Sequence, residues 1–322
     1  MKKLPAAVLS LVLLLSSCPA GAAQETPVFL WSVTGKGGTV HLLGSVHVLK
    51  PDSYPLDRRI TDAYGRSKRV MFEADMREMT RPEVHKALLD QGTYREGTLL
   101  KDHVSAKTYG LLQQKLASAG LPESRFERYK PWLCAVSLSG VELARLGFDP
   151  KWGIDAHFYA LARRDGKETL FLETALAQIQ LLSKTLSDRQ EDLLRQSLRE
   201  LEVIGLRSEE LRRAWRRGDA AKLEGITSVS LREYPMVRDA LFTQRNVRWI
   251  SKIEELMGRE GDSLVVVGAG HLVGREGVIS LQRMILGNKD PFMLKAINLV
   301  VDGVAPAHVS DILETELDVG QE

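Results

Sequence analysis

Short apolar runs near both ends of the chain predict β-strands. Residues 29–33 and 39–43 flank the glycine-rich segment 35–38, a pattern that is typical of a β-hairpin. Residues 69–72 form a third apolar run, and the unbroken apolar run at residues 263–267 favours a strand that is buried on both faces. Two further strands are predicted at residues 169–172 and 296–301.

The middle of the chain, from about residue 81 to residue 260, has mostly helical periodicity. Residues 155–164 alternate apolar and polar positions at helical spacing, and residues 181–206 place Leu and Ile at steps of three and four. Strands at both ends around a helical middle predict an α/β fold, with α+β as the alternative. We expect a central mixed sheet and a large helical insertion.

The organisation of the chain follows from the absence of a second linker. No Pro-rich or Gly-rich stretch interrupts the sequence after residue 27. We therefore predict a single domain over residues 28–302, followed by a C-terminal tail over residues 303–322.

The first residues have the pattern of an export signal. Lys2 and Lys3 precede an apolar run at residues 6–15, which is long enough for a secretory signal and too short to span a bilayer. We predict that the protein is exported to the bacterial cell envelope, either as a lipoprotein that faces the periplasm or as a soluble periplasmic or secreted protein.

Two processing sites follow this signal. Residues 15–18, Leu-Ser-Ser-Cys, resemble a bacterial lipobox, in which Cys18 is acylated after removal of residues 1–17 and holds the protein at a membrane. Residues 20–22, Ala-Gly-Ala, are typical of ordinary signal peptidase, which would remove residues 1–22. We favour the lipobox. In either case Cys134 has no disulfide partner, and its apolar neighbours predict a buried core residue.

The composition is that of an ordinary globular protein, with 27% charged and 44% hydrophobic residues among 322. The net charge of +2 includes Lys2 and Lys3, so a chain without its first 22 residues has 42 basic residues (44 − 2) against 42 acidic ones. This balance does not favour a nucleic acid as partner.

Two matching motifs carry the candidate chemistry. Gly44 and His47 follow the strand at residues 39–43, and Gly268 and His271 follow the strand at residues 263–267 with the same Gly-x-x-His spacing. Glycine allows a tight backbone turn, and ligands bind beyond the carboxyl ends of strands in open α/β sheets. Two such strands side by side would direct both imidazoles into one space.

A carboxylate is expected at the same edge of the sheet. Glu73 directly follows the strand at residues 69–72. Together with His47 and His271 it would make a divalent-metal site with open positions, at which a bound water is activated for hydrolysis. The same residues are also consistent with metal-free acid–base chemistry.

Three further residues have two readings each. Asp155 opens a helical segment, so it either caps that helix or orients one of the ligands. Glu173 follows the strand at residues 169–172, and it is either a second carboxylate of the site or the cap of the next helix. Arg245 lies on a predicted helix, as a surface residue or a functional one.

Several common enzyme motifs are missing from the sequence. It contains no His-Glu-x-x-His, no Gly-x-Ser-x-Gly and no phosphate-binding Gly-x-x-x-x-Gly-Lys-Ser/Thr motif. Residues 268–270 resemble the start of a dinucleotide-binding fingerprint, but Val273 stands where that fingerprint requires glycine.

The two Gly-x-x-His motifs and the candidate residues around them resemble the TraB/PrgY/GumN family. This family is related to the Tiki metalloproteases and more remotely to erythromycin-esterase and ChaN-like proteins. The resemblance spans about residues 28–302. It rests on residues 41–49, 72–75, 153–155, 172–174, 178, 245–246, 249 and 267–278, which occur in the family's order.

The resemblance implies a metal-dependent peptidase with Mn²⁺ or Co²⁺ as the associated ion. Carried over to this chain, it implies that His47, His271 and Glu73 are metal ligands, and that Gly44, Gly268 and Gly270 shape the motif loops. The family's arginine is similar to Arg245, which would hold a substrate carboxylate or stabilise an oxyanion. Asp155 and Asn246 would not bind the metal themselves and would orient its ligands.

Our first hypothesis is therefore an exported, lipid-anchored, metal-dependent hydrolase of peptides or proteins, with Glu73 or Glu173 as proton shuttle. The alternative is an envelope protein that binds a peptide signal, haem or iron without turnover. A third hypothesis is a structural or regulatory envelope protein whose site has lost its activity.

Overall fold

The computed structural model describes residues 27–185, 189–231 and 235–281. The predicted export signal with Cys18, the predicted strand at residues 296–301 and the predicted tail at residues 303–322 lie outside the described residues. Within the described residues, no helix is long and apolar enough to cross a membrane.

A five-stranded mixed sheet forms the centre of the described structure. The strands are β1 (Leu30–Thr34), β2 (Thr39–Ser45), β3 (Arg69–Phe72), β4 (Glu168–Phe171) and β5 (Ser263–Gly268). Their order across the sheet is β1-β2-β5-β3-β4, with β1 antiparallel to β2 and the other pairs parallel. The predicted α/β class with a mixed sheet is confirmed.

Helix α1 (Arg58–Arg66) lies between β2 and β3, and further helices fill most of the chain between β3 and β5. These are α2 (Pro82–Gly92), α3 (Ala106–Ser118), α4 (Pro131–Arg145), α5 (Ile154–Arg164), α6 (Ala175–Thr185), α7 (Gln190–Glu200), α8 (Ile204–Arg216), α9 (Ala220–Leu231), α10 (Pro235–Arg238) and α11 (Gln244–Gly258). A π-helical turn, Asp239–Thr243, joins α10 to α11. The helical pattern predicted over residues 181–206 is divided among α6, α7 and α8.

Both faces of the sheet are covered by helices. On one face Val70, Leu264 and Val266 pack in a core that includes residues of α1, α5, α8 and α9. On the other face Val265 and Val267 pack against α11. All six residues of β5 are buried, as the unbroken apolar run predicted.

A separate hydrophobic cluster joins α3, α4 and α7. It contains Cys134, which is free and fully buried. Burial raises the pKa of its thiol to about 12, so the thiolate needed for nucleophilic chemistry does not form near neutral pH. The predicted core role of Cys134 is confirmed.

Candidate active site

The two Gly-x-x-His motifs lie side by side because β2 and β5 are parallel neighbours. Their register pairs Ser45 with Gly268, so both motif loops leave the same carboxyl edge of the sheet. A Cβ atom at Gly44 would lie 2.3 Å from the Phe29 ring, so this position has no room for a side chain. The predicted juxtaposition of the two motifs is present.

Three predicted site residues converge above Gly268. A Cβ atom at that position would lie 3.2 Å from Oε1 of Glu73, 3.2 Å from Nε2 of His47 and 3.6 Å from Cδ2 of His271. At Gly270, a Cβ atom would lie 3.0 Å from the Phe242 ring. Glycine at both positions therefore leaves space for the polar groups and the surrounding wall.

An open crevice of about 540 Å³ lies over this edge. His47, Glu73, Arg245 and His271 all contribute to its lining. The larger part of its wall is apolar and comes from the helical insertion: Leu181, Leu182, Leu211, Leu223, Leu241 and Phe242. This wall is not predictable from the sequence, because leucines at helical spacing have the same pattern in a core and in a cleft.

His47 is oriented by Asp155. Nδ1 of His47 lies 3.1 Å from Oδ1 of Asp155, and Oγ of Ser45 donates to the same oxygen at 2.6 Å. A carboxylate only accepts, so Nδ1 of His47 is the protonated nitrogen in this bond. The N-cap of α5 is Gly153 and not Asp155. Of its two readings, the structure therefore places Asp155 as the orienting residue.

The same neighbours change the acidity of His47. Burial alone would lower the pKa of the imidazole, but the hydrogen bond to Asp155 and the negative charges of Asp155 and Glu73 outweigh it and raise the pKa to about 9. The side chain is 60% exposed because the crevice is open to solvent. His47 is therefore mainly an imidazolium at neutral pH.

Glu73 is held as a carboxylate by donors on both oxygens. The backbone N–H of Gly268 donates to Oε1 at 2.7 Å, and Nη2 of Arg245 donates to Oε2 at 2.7 Å. Burial disfavours the charge, but the electrostatic interactions with His271, His47 and Arg245 and the hydrogen bond from the Gly268 N–H lower the pKa of Glu73 to about 2. Such a weakly basic carboxylate is poorly suited to removing a proton from water.

Four of the five N–H groups of Arg245 donate hydrogen bonds within the protein. Nε donates to Glu173 at 3.1 Å, Nη1 donates to the Leu241 carbonyl at 3.1 Å and to Nε2 of His271 at 3.0 Å, and Nη2 donates to Glu73 at 2.7 Å. Nη2 also forms an ion pair with Oε2 of Glu173 at 3.0 Å. An oxyanion or a substrate carboxylate would therefore compete with Glu73 and Glu173 for this guanidinium. In this arrangement Arg245 connects the other site residues to one another.

His271 is a neutral imidazole with both nitrogens engaged. Nδ1 donates to Oδ1 of Asn246 at 2.7 Å, and Nδ2 of Asn246 in turn donates to the Glu276 carbonyl at 2.7 Å. The lone pair of Nε2 then accepts from Arg245. Burial lowers the pKa of His271 to about 3, so the ring is uncharged near neutral pH.

Glu173 lies away from the crevice lining, behind the Arg245 guanidinium. Its carboxylate accepts from Arg245 and, at 3.0 Å, from Nε1 of Trp249. At the start of α6 it is Thr174 whose Oγ1 accepts the Ala177 N–H, at 3.1 Å. Glu173 is thus the second carboxylate of the cluster, in a position that contacts Arg245 and not the open space.

The expected metal ligands do not form an open ligand set here. The Nε2 lone pair of His271 and both oxygens of Glu73 already accept hydrogen bonds from the protein. In the part of the chain that the structure describes, no group of three or more His, Cys, Asp or Glu side chains is placed to hold a metal ion. The residues present therefore do not fit a metal in this arrangement.

The family model for the TraB/PrgY/gumN family matches residues 29–284, which cover the sheet, the helical insertion and both histidine motifs. The chain belongs to this family. One relative is YbaP, an uncharacterised protein of Escherichia coli K12, which is 25% identical over 247 residues, covering 76% of this chain and 87% of YbaP.

A more distant relative comes from another bacterium. An uncharacterised protein of Treponema pallidum is 22% identical over 275 residues, covering 79% of each chain. No solved structure matches the chain. The family assignment therefore agrees with the fold and with the paired motifs, and the names of these relatives give no activity.

Proposed function

We propose that this chain is a hydrolase that cleaves peptides in the crevice, with the His47–Asp155 pair as its proton-transfer group. The observation that carries the proposal is the placement of this pair. Asp155 fixes Nδ1 of His47, while Nε2 faces the site over Gly268, beside the open crevice. A histidine held in this way by a carboxylate is the acid–base unit of many hydrolases.

The charges around the site support this role for His47. Glu73 is too weak a base, Arg245 stays protonated and cannot accept a proton, and His271 uses its Nε2 lone pair for Arg245. Neutral His47 would accept a proton from a water molecule at Nε2 as that water attacks the scissile carbonyl carbon. The resulting imidazolium, stabilised by Asp155, would return the proton to the leaving amine.

The substrate class rests on the family resemblance and on the shape of the crevice. A volume of about 540 Å³ accommodates a few residues of an extended peptide and is in the usual range of ligand sites. The proposed reaction uses no metal, because the atoms of Glu73 and His271 that would bind it already accept hydrogen bonds from Arg245 and Gly268.

A peptide library incubated with the wild-type protein tests the proposal. We expect cleavage by the wild type and at least about 100-fold slower cleavage by a His47→Ala variant of the same purity. Binding of a peptide without cleavage, by a protein that is folded, would instead support the alternative of an envelope protein that sequesters a peptide signal.

The proposed base gives a specific pH dependence. His47 becomes an acceptor only when it loses its proton, so kcat/KM should rise as the pH rises towards the pKa of about 9 and level off above it. At pH 7 the rate should be roughly 100-fold below this plateau. An Asp155→Asn variant, which retains the packing and loses the charge, should shift the inflection to lower pH. A profile that falls above pH 9 would assign His47 as an acid.

Gly268 offers a test of the close packing in the site. A methyl group at this position would lie 3.2 Å from both Glu73 Oε1 and His47 Nε2, so Gly268→Ala should displace them by a few tenths of an ångström. We expect kcat/KM to fall on the order of 10-fold. The matched control is Gly110→Ala in α3, where a Cβ meets nothing within 4 Å and the variant should gain up to about 1 kcal/mol of stability.

We also propose export and lipid anchoring, from the pattern at residues 1–22. Mass analysis of the mature N-terminus distinguishes the two processing sites. An acylated Cys18 indicates the lipobox, and an unmodified chain that begins at Ala23 indicates ordinary signal peptidase.

A further inference from the structure

Three side chains of metal-ligand type converge on the guanidinium of Arg245. Nη2 lies 2.7 Å from Oε2 of Glu73 and 3.0 Å from Oε2 of Glu173, and Nη1 lies 3.0 Å from Nε2 of His271. Carboxylate oxygens and an imidazole nitrogen are ligands that Mn²⁺, Co²⁺ and Zn²⁺ accept. Their lone pairs are directed at a cation, and in this chain that cation belongs to an arginine.

We propose that Arg245 is a built-in cation that takes the place of a divalent metal ion, so that the site is complete without a metal. It follows that removal of the guanidinium should leave Glu73, Glu173 and His271 as a new site for a divalent ion.

The hydrogen bond between Nδ1 of His271 and Asn246 agrees with a cation at Nε2. A metal-bound histidine usually donates its other N–H to an oxygen acceptor, which fixes the ring and directs the free lone pair at the ion. Here Oδ1 of Asn246 accepts from Nδ1 at 2.7 Å, and Nη1 of Arg245 is found where the ion would be. The histidine is thus arranged as a ligand, with an N–H donor in place of a metal.

The position of Arg245 is fixed from several directions. The residue is only 8% exposed, its guanidinium carbon lies 4.7 Å from the centre of the Trp249 ring, and the Leu241 carbonyl accepts from Nη1. A divalent ion that shared Glu73 and His271 with this guanidinium would sit within a few ångströms of a like charge, which is strongly unfavourable in a buried site. The metal and the arginine therefore exclude one another.

Metal binding by four proteins tests this proposal. Wild type, Arg245→Ala, Arg245→Gln and Arg248→Ala are purified without chelator, analysed for metal content and titrated with Mn²⁺, Co²⁺ and Zn²⁺ by calorimetry. Arg248 is the matched control, because it lies on the same helix, is 57% exposed and is 4.0 Å from Glu173.

We expect about one ion per chain in the two Arg245 variants, with a rise in Tm on addition of metal. Wild type and Arg248→Ala should bind none. Adding His271→Ala to Arg245→Gln should abolish the binding. If Arg245→Ala does not fold alone, recovery of its fold in the presence of an ion supports the proposal in the same way.

Two results would overturn the proposal. One is stoichiometric metal in the wild-type protein that is lost on replacement of His271. The other is the absence of metal binding, or of metal-dependent folding, in both Arg245 variants. These measurements use no substrate, so their failure is distinguishable from a failure of the peptidase proposal.

Discussion

Replacement of His47 by alanine is expected to lower kcat/KM by about 10²- to 10⁴-fold, the usual contribution of a positioned acid–base group. The free energy of unfolding should fall by about 1 kcal/mol or less, because the side chain is 60% exposed and its partner Asp155 keeps the hydrogen bond from Ser45. Steady-state kinetics and urea denaturation of the same preparation separate the two effects.

His157 provides the matched control for this variant. It lies on α5 two residues after Asp155, with its ring 5.0 Å from that of Tyr54, and it is not among the crevice residues. His157→Ala should leave kcat/KM unchanged. Full activity in His47→Ala, or an equal loss in both variants, would show that His47 does not transfer the proton.

Replacement of Arg245 by alanine is expected to lower the free energy of unfolding by about 3–5 kcal/mol, because it leaves the carboxylates of Glu73 and Glu173 buried without their counter-charge. Arg248→Ala should change it by no more than about 0.5 kcal/mol, since that side chain is 57% exposed. Chemical denaturation in metal-free buffer measures both variants.

The stability lost in Arg245→Ala should depend on pH. In the wild type the lowered pKa of Glu73, about 2, contributes stability that is present above the ordinary value of 4.5 and is lost as the pH falls towards 2. The difference between wild type and variant should therefore shrink below pH 4.5. A difference that is constant from pH 7 to pH 3 would contradict a charge-based effect.

The double variant Arg245→Ala/Glu173→Gln gives a second check. If the loss comes from the uncompensated carboxylate, removal of that charge should return part of the stability, and the two substitutions should be strongly non-additive. Additive losses would indicate that Arg245 stabilises the protein through packing on Trp249 instead.

Much of the fold could be predicted from local patterns. The unbroken apolar run of β5 indicated a strand covered on both faces, and the two Gly-x-x-His motifs indicated neighbouring strands with a common edge. Glu73 follows β3, the next strand across the sheet, so its place at that edge also followed from the sequence.

The way in which these residues bond could not be predicted from their types and spacing. Arg245 donates to groups that follow β3, β4 and β5 and to a carbonyl of the π-helical turn. No local sequence pattern predicts these hydrogen-bond partners. The same holds for the apolar wall, whose leucines have the spacing of ordinary helix cores. Such details depend on how separate elements meet in space.

The position of β5 has a consequence for the order in which the protein folds. This strand is the last of the five in the chain, yet it lies between β2 and β3, which do not pair with each other. The sheet cannot close until residues 263–268 pair with both neighbours, and the large separation of these strands in the sequence makes this step slow. Until then the facing edges of β2 and β3 are open to mispairing, and early folding of the intervening helices would reduce this risk.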